Sequence, residues 1–587
     1  MKNKKMMIAA FCLMAIGGHA EAQRRVTYDK IPDALMETLY ASKEDTRWFT
    51  EAKFGVFVHW GPYVLKKVPA SWGRWGNRPG AGKKATDGVP ADVYDALYKE
   101  FNPVKFDADK WIKMVKDAGA NYFIFTTKHH DGFCMFDARN TDYKITNTPF
   151  GRDVCKEIAD ACHKYGIRLF WYYSQPDWHH PDCLTENNEN YREYMYEHLR
   201  QLLTDYGKVS GLFFDGLGTK YSDWDTPNMV KMIRELQPGI VINRRWGGNL
   251  PGGLVNGDYD NPEQEFGMFE RERPWEMCST ISNAWSWTGK GSSKTFFANL
   301  NIFINTVGSG GNLALNAGPT PLGEIFEGER IVYEKMGDWL GKYGEAIYGT
   351  LAGPYKPGVW GVSTCKGSKV YLHVTSKFLE NKKAEVELPS LDAKVKGCRM
   401  LTGGDVAFKE KNGVWSFTLK SGINPLDNII VLELDKDAAA LPLRETLNAE
   451  KKIKPLSANA SSEANKKNTA NSVIGKGKEV FAEGKKHKIW WAPKKDDERP
   501  WIEVCFDKKY ELSGMTLAEQ IRNCSVRAFK LSYKSGGKWK EFYRGTEIGM
   551  LYNITLEGVK ANAIRLDIEK TANGGTPNIG VIDCYMK

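Results

Sequence analysis

The sequence predicts an α/β chain: a (β/α)8-like barrel followed by two antiparallel β-sandwich domains. From Lys53 to about Tyr348 short apolar runs alternate with longer amphipathic segments, and apolar strands spaced by helices pair in parallel with both faces covered. Seven or eight such units fall within about 300 residues, which suits a barrel better than an open sheet. Around Leu351 the apolar period changes to two, with polar turns between short runs, the pattern of a sandwich. The 587 residues are 42% hydrophobic and 12% aromatic, enough for several large cores and too apolar for a disordered chain.

Within the barrel region, strands are expected at 53–59, 121–128, 167–173, 211–215, 239–243 and 312–315. Helices are expected at 107–119, 153–165, 187–206, 226–236, 293–307 and 324–348, with an irregular stretch before 293. The first sandwich takes 369–374, 384–388, 414–419 and 428–434 as strands, and the second takes 501–506, 529–533 and 563–568. The expected division is a leader at 1–22, the barrel at 23–350, a sandwich at 351–436, a linker at 437–452 and a second sandwich at 453–587. No repeat of fixed period occurs.

Residues 1–22 carry three lysines, an apolar run from Met6 to Ile16 and the close Ala20-Glu21-Ala22. That is a secretory leader cut after Ala22 and implies a secreted or periplasmic protein. Phe11 before Cys12 argues against lipid attachment. No later run approaches the ~18 apolar residues of a membrane span. Net charge is +10, from 82 basic and 72 acidic residues spread along the whole chain; this mild excess is no nucleic-acid stripe. The ten cysteines beyond the leader form no C-x-x-C pair and no histidine cluster has zinc spacing, so neither a metal nor a cofactor is expected. Most of these cysteines are expected to be small buried hydrophobes.

Chemistry in a barrel gathers at the C-terminal strand ends. Here those ends are His59-Trp60, Lys128-His129-His130-Asp131, Tyr172-Tyr173, Asp215 and Arg245-Trp246, all polar or aromatic. A lone Asp-Gly is more often a turn than a nucleophile, but Asp215 stands beside four other such ends. His129 and His130 are consecutive, so one loop has to turn both inward; hydroxyl-rich ligands suit them better than a metal. Trp60, Trp178 and Trp246 offer flat faces for a sugar, against the bland reading of core packing, which is preferred for Trp171. No zinc-protease, dinucleotide, phosphate-loop or nucleophile-elbow motif is present. Carboxylates, histidines and aromatics around one mouth make up a glycoside hydrolase.

Six ordered motifs, Lys53-Phe-Gly-Val-Phe-Val-His-Trp-Gly-Pro-Tyr63, Thr127-Lys-His-His-Asp-Gly-Phe133, Trp171-Tyr-Tyr-Ser174, Phe213-Phe-Asp-Gly216, Asn243-Arg-Arg-Trp-Gly247 and Asp258-Tyr-Asp-Asn-Pro-Glu263, resemble those of the family 29 α-L-fucosidases over roughly residues 30 to 435. The resemblance implies a retaining mechanism with a covalent glycosyl intermediate on Asp215. It assigns His59, His129 and His130 to sugar hydroxyls, Tyr173 to the pocket near the nucleophile and Arg245 to a position close to the acid/base. Trp60, Phe213 and Trp246 are candidates for the wall facing the C6 methyl. Two carboxylates compete for the acid/base role. Glu263 lies in a loop resembling the family's acid motif; Glu276 sits between Trp275 and Met277 in a strand-like run where a structural carboxylate is the bland reading. Glu263 is the choice.

Two departures stand out. Phe213 replaces a tryptophan common two residues before the nucleophile. Arg74, in Ser71-Trp-Gly-Arg-Trp75, stands where a sugar-binding glutamate is common, exchanging an acceptor for a donor and making Arg74 a specificity candidate. The last block resembles discoidin-type, galactose-binding-like sandwiches through Pro500-Trp-Ile-Glu-Val504 and Ala563-Ile-Arg-Leu-Asp567, with Trp490 and Trp491 either sugar platforms or buried. The expected function is an exported retaining α-L-fucosidase acting on fucosylated glycans. The alternatives are a retaining α-L-galactosidase of the same fold and a non-catalytic glycan-binding protein.

Overall fold

The computed structural model describes residues 25–82, 88–265, 268–291, 294–379, 384–446, 451–474, 490–520 and 524–586. The expected leader lies outside them, as does part of the expected linker. Seven described strands form the first sheet: β1 (Phe54–Val58), β2 (Tyr122–Lys128), β3 (Arg168–Tyr173), β4 (Gly211–Phe214), β5 (Val241–Ile242), β6 (Glu276–Thr280) and β7 (Asn312–Ala317). Every strand residue except Arg168 is buried, as a parallel sheet covered on both faces requires. β1 to β5 pair in parallel, and the sheet order is β5-β4-β3-β2-β1-β7-β6. This is a curled half-barrel in the strand order of a (β/α) barrel. β5 is two residues long, and Gly247, Gly248, Gly252, Gly253 and Gly257 after it all take positive φ, which no strand can continue; the chain returns at Tyr259, which bridges Asn243 in parallel. β6 lies in the stretch expected to be irregular.

Helices Ala108–Asp117 and Val154–Tyr165 follow β1 and β2, each started by an aspartate, Asp107 or Asp153, that accepts the third backbone N–H. Asn188–Thr204 and Thr226–Leu236 follow β3 and β4. Contacts divide the chain into two compact units. One holds the chain up to Asn261 with Ala284–Lys290 and Ala314–Arg330; the other holds Pro262–Asn283, Gly291–Leu313 and the chain from Ile331 on.

In the second unit, Leu351–Leu434 builds an antiparallel five-stranded sheet and a three-stranded one around Trp360, Trp415, Phe417 and Leu432. From Ser457 the last sandwich follows, with strands longer than expected: Trp501–Glu519, Val526–Ser535 and Tyr552–Thr571. Trp491 is fully buried in its core and its Nε1 donates to Ser462 O at 2.9 Å, so it is no sugar platform. Within this unit the helix Phe296–Gly308 is buried from Ala298 onward. Loops of the last sandwich cover part of it: Asn301 Nδ2 donates to Leu551 O at 2.9 Å, and the rings of Phe297 and Tyr552 lie 6.0 Å apart. Lys377–Phe378 of the first sandwich pairs in parallel with Ile554–Thr555 of the last. Eight of the ten described cysteines are buried, and Cys398 and Cys505 are half-buried.

Candidate active site

Alternation along the strands decides which side chains reach the mouth. On β4 it points Phe213 inward, Phe214 outward and Asp215, the next residue, inward again. Register pairs Tyr172 with Phe213 and Tyr173 with Phe214, so Tyr172 shares the inner row. The Tyr172 hydroxyl donates to Asp215 Oδ2 at 3.1 Å. Burial, and then the charge of Asp215, push that phenol well above its usual range, so it keeps its proton as a donor. His130 Nε2 lies 3.6 Å from Oδ2 and Arg245 Nη1 lies 3.8 Å from Oδ1. Arg245 Nη2 also donates to Asn261 O. The turn after Asp215 ties β4 to the loop after β5, since Gly216 N donates to Arg245 O at 2.7 Å. A Cβ there stands 2.8 Å from that oxygen, so only glycine fits.

His129 and His130 are both brought into this region, their rings 4.3 Å apart. The chain turns at Gly132, with φ +82° and an added Cβ only 2.5 Å from Asp177 Oδ1. Asp177 is gripped by Lys128 Nζ at 3.1 Å, both side chains buried. His129 stacks on Tyr172 at 5.5 Å. Burial, followed by the neighbouring His130, His59 and Lys128, holds the His129 imidazole well below its ordinary range, so it is neutral. His59, beyond the end of β1, sets Nδ1 against Asn316 Oδ1 at 2.7 Å and its ring 4.9 Å from Trp285. Phe213 forms part of the floor, with Phe57 at 5.1 Å and the Arg245 guanidinium 5.7 Å from its ring centre.

Four expected site residues are placed elsewhere. Tyr173 points outward, its hydroxyl 3.0 Å from His198 Nδ1, because it is one residue out of phase with Asp215. Trp60 is one residue out of phase with His59. Its ring packs on Phe106 and Trp111 on the helix side, with Nε1 donating to Thr320 O. Trp246 is fully buried and offers no open face. Arg74 is 8% exposed, and its Nε and Nη2 fork onto Asp95 at 2.7 Å each. Burial opposes the Asp95 charge, but Arg74 and His179 outweigh it and hold the carboxyl below its usual range. That guanidinium is spent on an ion pair with the end of the short helix Ala91–Asp95, so, against expectation, it is not open to a sugar.

The stretch carrying Arg74 supplies other groups instead. Trp72 is 42% exposed and meets His130 edge-on at 5.8 Å and Trp178 at 5.2 Å. Trp178 stacks on His130 at 5.1 Å, and the Arg78 guanidinium lies over both indoles. From sequence Tyr172 is missed in favour of Tyr173 because the choice rests on the register that pairs Tyr172 with Phe213, which no spacing within either strand records. Trp285 lies in a stretch without periodicity, and no local signal marks it. In the other unit, the Glu263 backbone pairs with Cys278 and its side chain is half-buried, whereas Glu276 is fully buried on β6. Among the described residues no group of three or more histidine, cysteine or carboxylate side chains is arranged to hold a metal.

The comparisons agree with this architecture. The alpha-L-fucosidase family model matches residues 28–345 and the F5/8 type C domain model matches residues 457–581. The tissue alpha-L-fucosidase of Macaca fascicularis is 30% identical over 393 residues, 61% of this chain and 81% of that protein. The solved alpha-L-fucosidase isoenzyme 1 of Paenibacillus thiaminolyticus is 31% identical with a TM-score of 0.58, covering 67% of this chain and 99% of that one. A GH29 alpha-L-fucosidase of Bacteroides thetaiotaomicron, solved as a trapped covalent intermediate with 2-fluoro-fucosyl fluoride, is 26% identical with a TM-score of 0.59, covering 67% and 97%. A family model spanning more than half the chain, laid over a half-barrel whose strand ends converge on one carboxylate, places this glycoside hydrolase in the alpha-L-fucosidase family.

Proposed function

We propose that the protein is an exported retaining α-L-fucosidase that removes terminal α-L-fucosyl residues from glycans through a covalent ester on Asp215. The observation that carries this reading is the surrounding of Asp215: a tyrosine hydroxyl at 3.1 Å, a histidine nitrogen at 3.6 Å and a guanidinium at 3.8 Å. The tyrosine hydroxyl holds a carboxylate oxygen in place and the guanidinium balances its charge, while the side chain stays partly exposed at 19%. His59 and His129 stand on the floor beside it to take sugar hydroxyls. Trp72 offers its indole at the rim, backed by the buried Trp178. The tissue alpha-L-fucosidase of Macaca fascicularis and the solved fucosidase relatives support the sugar; residues 1–22 support export.

In this mechanism Asp215 attacks the anomeric carbon as the glycosidic C–O bond breaks, and Glu263 gives its proton to the departing oxygen. Water then attacks the anomeric carbon of the glycosyl ester, Glu263 takes a proton from it, and the C–O bond to Asp215 breaks to release the carboxylate. Glu263 is chosen over Glu276 because it sits on a half-buried loop, whereas Glu276 is sealed within a strand.

The test uses purified protein on aryl α-L-fucoside and aryl α-L-galactoside side by side. Release from the fucoside with retained configuration is expected. Asp215→Ala is expected to lose at least a thousandfold in kcat while remaining folded, with azide partly restoring turnover as the β-azide product. Glu263→Ala is expected to spare dinitrophenyl fucoside far more than alkyl fucoside, since a good leaving group departs without a proton. Near-wild-type activity of Asp215→Ala rejects the nucleophile, and that leaving-group dependence in Glu276→Ala alone exchanges the acid. Faster cleavage of the galactoside transfers the assignment to the alternative sugar. The mature amino terminus, read by mass spectrometry of the exported protein, is expected at Gln23.

A further inference from the structure

Adjacent histidines in a sugar site raise a question of protons. A neutral imidazole donates from one nitrogen and accepts at the other, and the partner of the inner nitrogen decides which one faces the ligand. The three histidines of the mouth each have such a partner.

Ser71 is fully buried, and its Oγ has two contacts: Asp131 N at 2.9 Å and His129 Nδ1 at 2.5 Å. The backbone N–H can only donate, so it occupies a lone pair of Oγ. The one acceptor within reach of the Ser71 hydroxyl proton, among the described residues, is His129 Nδ1. Nδ1 therefore accepts, and neutral His129 carries its proton on Nε2.

Ser174 has the opposite constraint. Its Oγ lies 2.6 Å from Pro176 O and 2.5 Å from His130 Nδ1. A carbonyl can only accept, so the single hydroxyl proton goes to Pro176 O, and Oγ accepts a proton from His130 Nδ1. His59 follows the same sense. Asn316 Nδ2 donates to Trp285 O at 2.7 Å, which fixes the amide so that Oδ1 is the atom facing His59 Nδ1 and accepts its proton.

We propose that Ser71, Ser174 and Asn316 are positioning residues that hold the three mouth histidines in alternating tautomers, His129 donating from Nε2 while neutral His59 and His130 carry their proton on Nδ1 and present Nε2 as an acceptor. The consequence is selectivity for chemistry, not merely shape. A sugar with neighbouring hydroxyls needs both partners: each hydroxyl gives one proton and accepts others, so a run of three donors or three acceptors leaves some unmatched. The arrangement also places the His130 acceptor nitrogen, 3.6 Å from Asp215 Oδ2, where a substrate hydroxyl between the two has somewhere to send its proton other than the nucleophile. This inference rests on the fucosidase reading for its ligand but not for its proton positions.

Neutron diffraction from deuterium-exchanged crystals of the unliganded protein at about pH 8, above the ordinary histidine range, reads the protons directly. Deuterium is expected on His129 Nε2, on His130 Nδ1 and on His59 Nδ1, with the Ser71 hydroxyl aimed at His129 and that of Ser174 at Pro176. Deuterium on His129 Nδ1, or none on His130 Nδ1, overturns the proposal. In kinetics, Ser71→Ala is expected to raise KM for aryl α-L-fucoside about tenfold, the worth of one hydrogen bond, with kcat within a factor of two, because the contact is made equally in ground and transition states. Ser71→Thr, which keeps the hydroxyl, is expected to restore KM. An unchanged KM in Ser71→Ala overturns the role of Ser71, and if that variant does not fold the neutron map decides alone. Protein inactive on aryl α-L-fucoside but with these proton positions leaves the tautomers standing and removes only the proposed substrate.

Discussion

Tyr172→Phe takes away the hydroxyl that donates to Asp215 while leaving a buried ring of the same shape between Phe213 and His129. A preorganised donor aimed at charge that develops, here as the ester breaks and Asp215 leaves, is typically worth about a hundredfold to a thousandfold in rate, so kcat on aryl fucoside is expected to fall at least tenfold with little change in melting temperature. Tyr173→Phe, one position along, deletes a bond to His198 behind the strand. It is expected to cost about 1 kcal/mol of stability and leave kcat alone; steady-state kinetics paired with thermal melts separate the two. Arg74→Glu supplies a second contrast. It sets a carboxylate against Asp95 in a site where Arg74 is 8% exposed, and breaking a largely buried pair while adding like charge is strongly destabilising. The expected outcome is a loss of several degrees in melting temperature with an unchanged ratio of kcat/KM between fucoside and galactoside. A changed ratio in the folded variant places Arg74 against the sugar after all.

At the scale of elements, the last sandwich contains a lock between two loops. Glu519 closes the strand Trp501–Glu519 and accepts three backbone N–H groups: Ser525 at 2.6 Å and Val526 at 2.9 Å on one oxygen, Gly549 at 2.9 Å on the other. Burial opposes its charge and prevails over those donors, raising the carboxyl to about 7. Because the folded value lies above the unfolded one of 4.5, the contribution of Glu519 to stability is fully present below about pH 4.5 and is lost as pH rises through about 7, at roughly 1.4 kcal/mol per pKa unit. Glu519→Gln abolishes that dependence but turns an amide N–H toward backbone donors. The variant is therefore expected to melt lower at every pH and with a flatter pH profile between 4.5 and 8 than the parent. Parallel profiles in calorimetry refute the lock. The same loop carries Glu547, whose side chain bonds Thr295 at the start of the helix Phe296–Gly308, so slack in the lock reaches that helix.

For the whole molecule, the last sandwich is more than an appendage. It covers the helix Phe296–Gly308 through Leu551 and Tyr552 and extends the first sandwich through the pairing of Lys377–Phe378 with Ile554–Thr555. Cutting the chain after residue 446 bares Phe297 and leaves that short strand unpaired. The residues grouped around Asp215, from His59 to Asn316, are all retained. The truncated protein is expected to show a lower yield and melting temperature but full kcat per titrated active site, counted with a 2-fluoro fucosyl inactivator. A well-folded truncation with empty active sites shows that the last domain helps to build the pocket.

Local order was legible in the chain itself. Periodicity of apolar residues set the strands and helices of the half-barrel because each element must bury a face, and the motifs at 53–63, 127–133 and 213–216 set the family because their residues stand at consecutive strand ends. Alternation within one strand sets Asp215 in phase with Phe213, but it does not choose between Tyr172 and Tyr173 on the neighbouring strand. Three things belong to the tertiary structure alone. The pairing of β7 beside β1 depends on which strands find partners across the sheet. The capture of Arg74 by Asp95 joins residues 21 apart, one after a turn and one at the end of the short helix Ala91–Asp95, with no spacing signal of their meeting. The proton senses of His59, His129 and His130 follow from single contacts to Asn316, Ser71 and Ser174, between 44 and 257 positions away. Side-chain hydrogen bonds of that kind are fixed by ångström distances in the folded chain, and sequence spacing holds no record of them.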